Sequence, residues 1–394
     1  MRKFMILGAS ILQLPAIQEA KKMGLKVVAV DMDPNAIGFS EPDVEKEVIS
    51  TIDIPAVVEA AKRHNICGVV TVASDMPMRS VATVAKEMGL IGVSQETAVK
   101  ATNKADMRLA FSENGVASPI SKKVSSKDEF DEVVKCFAGE FIIKPADNSG
   151  SRGIFLVENI DQAYEAYEYS RKYSRGGDVV VEEFMTGPEV SVELLAVNGE
   201  CHVLQVTDKL TTGAPHFVEI GHSQPSQLPK EDIEAIKSLA KQAAKAVGIE
   251  NGPGHAEIIL TQNGPKMVEI GARMGGGCIT THLVPLSTGI NMTRATIQTA
   301  LGEAPDIESN IQRGSAIRFI IPPTGRVAAI SGVEKAKSIP GIEAVEIQCK
   351  VGQQVGKFES GASRIGYVIA SAKTPEEAIQ ICEQALREII ISVE

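Results

Sequence analysis

One chemical signal in the sequence is a pair of glutamates in the run His255-Ala256-Glu257-Ile258-Ile259-Leu260, Thr261 to Gly264, Pro265-Lys266-Met267-Val268-Glu269-Ile270. Gln262-Asn263-Gly264 suits a three-residue hairpin loop with glycine in the left-handed position, which pairs 261 with 265. That register sets Glu257 directly opposite Glu269 on one face. Like charges so opposed are destabilising, and a divalent cation between them resolves the conflict, since carboxylates plus phosphate oxygens are the usual magnesium set. A two-residue turn would instead put the carboxylates on opposite faces. Arg273 follows closely, where a guanidinium can stabilise charge developing in phosphoryl or acyl transfer. Gly275-Gly276-Gly277 behind it admits close substrate approach or forms a loop.

A second group is Phe141-Ile142-Ile143-Lys144-Pro145-Ala146-Asp147-Asn148-Ser149-Gly150-Ser151-Arg152-Gly153-Ile154. Glycine lets backbone N–H groups point at an anion, Ser149 and Ser151 add hydroxyl donors, and Lys144 reaches a phosphate as a point charge. A solvent-exposed hairpin loop fits the same residues nearly as well. The Gly-Lys-Ser/Thr ending is missing and no helix follows directly, which excludes the P-loop class. In Val179 to Glu193 two strands flank Gly187-Pro188. Glu182 and Glu189 are of the type that accepts from a purine amino group and from ribose hydroxyls, although a solvated acidic rim has the same composition. Glu219 and His222 lie three apart in Pro215-His216-Phe217-Val218-Glu219-Ile220-Gly221-His222; with no third ligand nearby, substrate contact or plain structure fits better than zinc.

These groups need a scaffold, and the remaining pattern supplies one. Phe4 to Leu7, Val27 to Val30 and Val69 to Val72 are short aliphatic runs separated by helices opening near Pro15 and running from Pro55 to His64, the signature of a parallel sheet wrapped by helices. The loop after Gly8 lacks the second and third glycines of a dinucleotide fingerprint, which argues against nicotinamide binding. Helical segments from Gly92 to Thr102 and from Lys104 to Asn114 mark a first boundary. Strands are expected near 141–144, 154–157, 178–184, 189–197, 201–206, 254–261 and 265–270, with helices near 161–173 and 229–247. A strand-rich tail from Ser315 closes with a helix from Pro375 to Ile390. The expected domains are 1–95, an α/β unit; 96–310, an α+β unit with a nucleotide-binding sublobe near 115–185; and 311–394, a small α+β lobe.

The 394 residues are 44% hydrophobic and 23% charged, an ordinary globular balance that excludes global disorder. The net charge of −10, without a basic patch, argues against nucleic acid and anionic lipid surfaces as partners. The six cysteines form no Cys-x-x-Cys pair, so reduced thiols and a cytoplasmic setting are expected. No apolar run approaches the roughly 20 residues of a membrane span.

Taken in order, Asn103-Lys104, the strand lysine Lys144, the loop 147–153, the segment from Glu182 to Glu189 and the Glu257/Glu269 pair resemble the ATP-grasp superfamily of carboxylate–amine ligases over nearly the whole chain. The resemblance implies ATP as cosubstrate and Mg²⁺ as metal, with Mn²⁺ an alternative. It implies that Lys104 and Lys144 contact phosphates with Ser149, Gly150 and Ser151, that Glu182, Glu183 and Met185 hold the adenine, Glu189 the ribose, and Glu257 with Glu269 the metal. Arg273, Lys144 and Ser151 would be catalytic, and Glu219, His222, Arg273 and Gly276 would meet the substrates, a small carboxylate and a small amine; a homodimer is open. Many members carry Asn two residues after the second metal glutamate, and here Gly271 stands there. Glu269-x-x-x-Arg273 followed by glycines is similar to the dipeptide-forming L-amino acid ligases. Phosphoribosylamine–glycine ligases and carbamoyl-phosphate synthase domains share the core and stand as alternatives, as does, in another class, a non-catalytic ATP-binding module.

Overall fold

Strands buried on both faces read as unbroken apolar runs, and the N-terminal region is built that way. In the computed structural model, which describes residues 2–150, 152–214, 217–321, 323–358 and 360–394, the strands Lys3–Leu7, Lys26–Val30, Glu45–Glu47 and Val69–Thr71 form a parallel sheet. Its order is 45–47, 26–30, 3–7, 69–71. Phe4, Ile6, Val27 and Ala29 enter one apolar cluster with Ile17 of the helix Leu14–Lys22, which carries a proline in its first turn. Met5, Leu7, Val28 and Val30 enter another with Val57 and Val81 of the helices Ile54–His64 and Met78–Met88.

A second sheet, antiparallel, orders Ser121–Val124, Val179–Glu183, Phe141–Pro145 and Phe155–Val157. It closes over the helix Ala163–Tyr173 through Phe141 and Tyr167, whose ring stacks on Phe130 at 4.5 Å between centroids.

The third sheet bears the acidic pair. Eight antiparallel strands run in the order 264–271, 252–261, 189–197, 200–211, 219–224, 314–319, 366–372, 342–347. Alternation divides its faces. Val190, Val192, Leu194, Ala256 and Ile258 pack into the core with the helix Lys230–Val247, while Glu189, Ser191, Glu193, His255 and Glu257 stand on the other face. The expected lobe 311–394 is divided: three of its strands extend this sheet across position 310, and 354–355, 325–331 and 390–393 form a separate three-stranded sheet within it. The closing helix ends earlier than expected, at Pro375–Glu388, and Ile390–Val393 turns into a strand paired with Gly325–Ser331. No helix among the described residues is long and apolar enough to cross a membrane.

The acidic hairpin reaches the expected register by an unexpected route. Thr261 pairs with Gly264, leaving a two-residue turn, and Leu260, Ile259 and Ile258 pair with Pro265, Lys266 and Met267. A bulge then passes over Val268, so Glu269 comes opposite Glu257 after all. The bulge is held from outside: the Met267 N–H donates to the Ala117 carbonyl at 2.9 Å, and Arg108 Nη2 donates to the Val268 carbonyl at 2.6 Å.

Candidate active site

Between the second and third sheets lies a cavity of about 620 Å³, of the size that takes a nucleotide or drug-sized ligand. Its wall includes Lys104, Lys144, Ser149, Gly150, Glu183, Met185, Glu189, Glu219, Glu257 and Glu269. Ser151, and His216 beside the Glu219 cluster, lie outside the described residues. Arg273, His222 and Gly276 are not on this wall.

Three cations gather round the acidic pair. Lys104, first residue of the helix Lys104–Glu113 behind an Asn103 cap, puts Nζ 3.0 Å from Glu269 Oε2 and donates to the Asn148 carbonyl at 2.7 Å. Burial works against its charge, but Glu269 raises its pKa. Lys209 Nζ lies 3.2 Å from Glu257 Oε1, and His255 Nε2 lies 3.4 Å from the same oxygen. Burial would raise the Glu257 carboxyl; Lys209 and then His255 hold it well below its usual range. Glu257 Oε2 and Glu269 Oε1 stay outside these pairs. Two facing carboxylates open to a cavity are of the type that holds a hard divalent cation.

Lys209 was not legible in sequence, because the strand expected to end at 206 runs as Glu200–Thr211 and carries it onto the site face. Its ammonium also lies 2.6 Å from Glu189 Oε1 and 3.1 Å from Glu219 Oε1. Burial disfavours this charge, yet the three carboxylates raise its pKa well above the usual lysine range. Burial raises Glu189 against the pull of Lys209, whereas Glu219 ends below its ordinary value, held by Lys209 and His222. His255 Nδ1 makes a 2.6 Å bond to Glu193 Oε1, and this partner, against burial, raises the imidazole to about 9, so it carries a proton at neutral pH.

Glu182 departs from the expectation for an adenine contact. Its carboxylate is fully buried; it accepts from Arg108 Nε at 2.7 Å and Nη2 at 3.2 Å, and Lys144 Nζ lies 3.1 Å away. Burial pushes this carboxyl up, but Arg108 and Lys144 outweigh it and hold it at about 2. Its neighbour Glu183 reaches the cavity wall instead, with Lys266 Nζ 3.0 Å from both oxygens, and Met185 joins it there.

On the far side, Glu219 is tied to the C-terminal region. Arg364 Nη2 lies 3.1 Å from Glu219 Oε2 and donates to its carbonyl at 2.8 Å, with the guanidinium 3.8 Å from the Phe319 ring centroid. His222 is buried against Phe319, its Nε2 3.6 Å from Glu219 Oε2, and neither ring nitrogen has a hydrogen bond. Burial holds this imidazole down at about 4, neutral at physiological pH. Arg273 is gripped by Asp75: Nε donates to Oδ1 at 2.7 Å and Nη2 to Oδ2 at 3.2 Å. At Gly276 a Cβ would stand 3.3 Å from Ala73 Cβ. Arg108, His255, Asp75 and Arg364 were assigned no role from the sequence. Each acts across a long stretch of chain, and no local spacing announces such contacts.

Residues 137–282 match the family described as ATP-grasp domain, and residues 318–394 match that described as L-amino acid ligase C-terminal domain 2. The middle of the chain thus matches an ATP-grasp domain. The chain is 26% identical over 269 residues to the alanine–anticapsin ligase of Bacillus subtilis (strain 168), covering 62% of this chain and 55% of that one. It is also 26% identical over 308 residues to dapdiamide A synthase of Enterobacter agglomerans, covering 73% and 70%. The chain thus spans about half the length of the first of these relatives. A crystal structure of L-amino acid ligase from Bacillus licheniformis superposes with a TM-score of 0.87 at 24% identity, over 100% of this chain and 99% of that one.

Proposed function

We propose that this protein is an ATP-dependent carboxylate–amine ligase that joins amino acids, or an amino acid and a small acid or amine, through an acyl phosphate. The observation that carries the reading is that Arg364, from the segment matching the L-amino acid ligase C-terminal domain, meets Glu219 on the wall of the cavity that holds the acidic pair. A carboxylate beside a guanidinium is the polar set that an amino acid's ammonium and carboxylate require.

In this reading the nucleotide lies along the cavity from Glu183 and Met185, which take the adenine edge, past Glu189 at the ribose, to Lys144, Lys104, Ser149 and Gly150 at the phosphates. Glu182 contributes indirectly: its double grip on Arg108 and Lys144 fixes the strand lysine and, through Arg108, the bulge at Val268. Glu257 and Glu269 hold magnesium, which when bound neutralises phosphate charge during transfer. A substrate carboxylate oxygen then bonds to the γ-phosphorus while the bond to the ADP oxygen breaks. The amine attacks the acyl carbon, phosphate leaves with that carboxylate oxygen, and the proton lost from the amine nitrogen passes to the departing phosphate. Arg273, off the cavity wall but close enough to Glu269 and Glu257 to feel their charge, supplies positive charge behind the acidic pair as negative charge builds at the acyl centre. His222, kept neutral by burial and off the cavity wall, backs Glu219 from behind and does not meet the substrates directly. Catalysis here is chiefly positioning and charge stabilisation.

The test is a screen of amino acids and small acids in pairs for ADP release, with mass detection of the product. The reading expects ADP together with a product lighter than its two substrates by one water. AMP and pyrophosphate, or ADP without a condensed product, would sink it.

A further inference from the structure

The glycine at 271, where many related ligases carry Asn, has a physical consequence at a distant residue. A Cβ at Gly271 would lie 2.9 Å from Asp75 Oδ1 and 3.2 Å from Arg273 Nε. Those are the two atoms of the 2.7 Å hydrogen bond between Asp75 and Arg273. Any side chain at 271 must therefore push one member of the pair aside. The second bond of the fork, Nη2 to Oδ2 at 3.2 Å, fixes the plane of the guanidinium as well as its position.

Asp75 comes from the loop that follows the N-terminal strand Val69–Thr71, 198 residues away in sequence. That loop is held from two sides. Gln13 Nε2 donates to the Val72 carbonyl at 2.6 Å, and Val72 bridges Met274 in parallel, with the Ala73 N–H donating to the Met274 carbonyl at 3.1 Å. Ala73 takes φ +60°, a left-handed conformation that an alanine adopts only when its surroundings impose it. The contacts on either side of Ala73 bring Asp75 beside Glu269 and Gly271, where Arg273 is buried and Asp75 half-buried.

We propose that Asp75 is the positioning residue for Arg273: the N-terminal domain supplies the carboxylate that holds the guanidinium behind the acidic pair, and Gly271 is the residue that admits it. The proposal rests on the reading of Arg273 as the group that supplies positive charge there as acyl-phosphate charge builds. It makes the N-terminal sheet part of the catalytic site through one side chain. It also accounts for Gly271 without a missing metal ligand, because an Asn there would collide with the pair.

The experiment compares the full chain with Asp75→Asn and Gly271→Ala; the second keeps both charges and displaces Asp75 by bulk alone, so it remains informative if the first folds poorly. Two quantities are read: hydrogen exchange at the Arg273 Nε–H, by ¹⁵N-arginine spectra assigned with Arg273→Lys, and the split between turnover number and the ATP constant in the ADP-release assay. We expect faster exchange in both variants, a turnover number at least tenfold lower, and an ATP constant within about twofold of the parent. Unchanged exchange would show that Asp75 does not hold Arg273. Faster exchange with unchanged turnover would reduce the pair to a clasp between domains. A gain in activity for Gly271→Asn would return position 271 to the metal. An inactive parent sinks the ligase reading and the role of Arg273 with it, whereas an active parent whose variants keep full turnover sinks the positioning role alone.

Discussion

Replacing Lys209 with methionine keeps an unbranched stem and removes the ammonium shared by Glu189, Glu219 and Glu257, which lie 2.6, 3.1 and 3.2 Å from it. The lysine side chain is 3% exposed, so little water stands in for the lost charge. Breaking a buried ion pair from one side costs about 3–5 kcal/mol, because the remaining charge is left uncompensated. The sign with pH follows from the carboxylates. In the parent, Glu219 and Glu257 are held below the ordinary 4.5, which contributes stability present above that pH and lost as pH falls through the lower folded values. Without Lys209, burial dominates and the folded state retains protons that the unfolded chain has released, so stability falls as pH rises. Denaturant unfolding of Lys209→Met and the parent from pH 4 to pH 8 should show a deficit of about 3–5 kcal/mol at pH 8 that shrinks toward pH 4. A deficit below about 1 kcal/mol, the range of exposed pairs, or one independent of pH, would refute the reasoning.

Glu182→Gln should lower stability by a similar margin, about 3–5 kcal/mol, since Arg108 and Lys144 lose their buried counter-charge, and it should raise the ATP dissociation constant measured by calorimetry. Equal stability to the parent would show that the pair is dispensable. His255, raised to about 9, contributes stability that is full below pH 6.5 and lost as pH climbs through 9. At about 1.4 kcal/mol per unit this is about 3 kcal/mol, and His255→Gln should flatten that decline in a melting series from pH 6.5 to 9.5. Glu269→Gln should abolish turnover while ATP binding survives in weakened form, because Glu183 to Glu189 lies in other strands; unchanged turnover with Mg²⁺ would remove Glu269 from the metal site.

Much of the scaffold is legible because it follows period and punctuation. The aliphatic runs ending at Leu7 and Val30 become the buried parallel strands, and Glu257 does stand opposite Glu269, but by another route than the expected three-residue loop: the turn has two residues, which alone would part the carboxylates, and the bulge at Val268 restores the pairing. That bulge depends on Arg108 and Ala117, so no reading confined to the hairpin could place it. Lys209 was lost for a simpler reason: Thr207-Asp208-Lys209 reads as a polar strand end, yet pairing with both Glu189–Val197 and Glu219–Gln224 carries the strand onward. Asp75 and Arg364 meet their partners only through tertiary assembly, 198 and 145 residues along the chain. The closing helix, expected to reach Ile390, stops at Glu388, and the strand Ile390–Val393 has no local signature because its register is set by Gly325–Ser331.

The central claim is that a carboxylate is activated by phosphorylation, and oxygen-18 tests it most directly. Once a substrate pair is found, the acid is supplied with labelled carboxylate oxygens and the released phosphate is analysed by mass. The account predicts one labelled oxygen in each phosphate formed, together with ADP, because the amine displaces phosphate with the carboxylate's own oxygen attached. Label in AMP with release of pyrophosphate, or phosphate free of label, would contradict it.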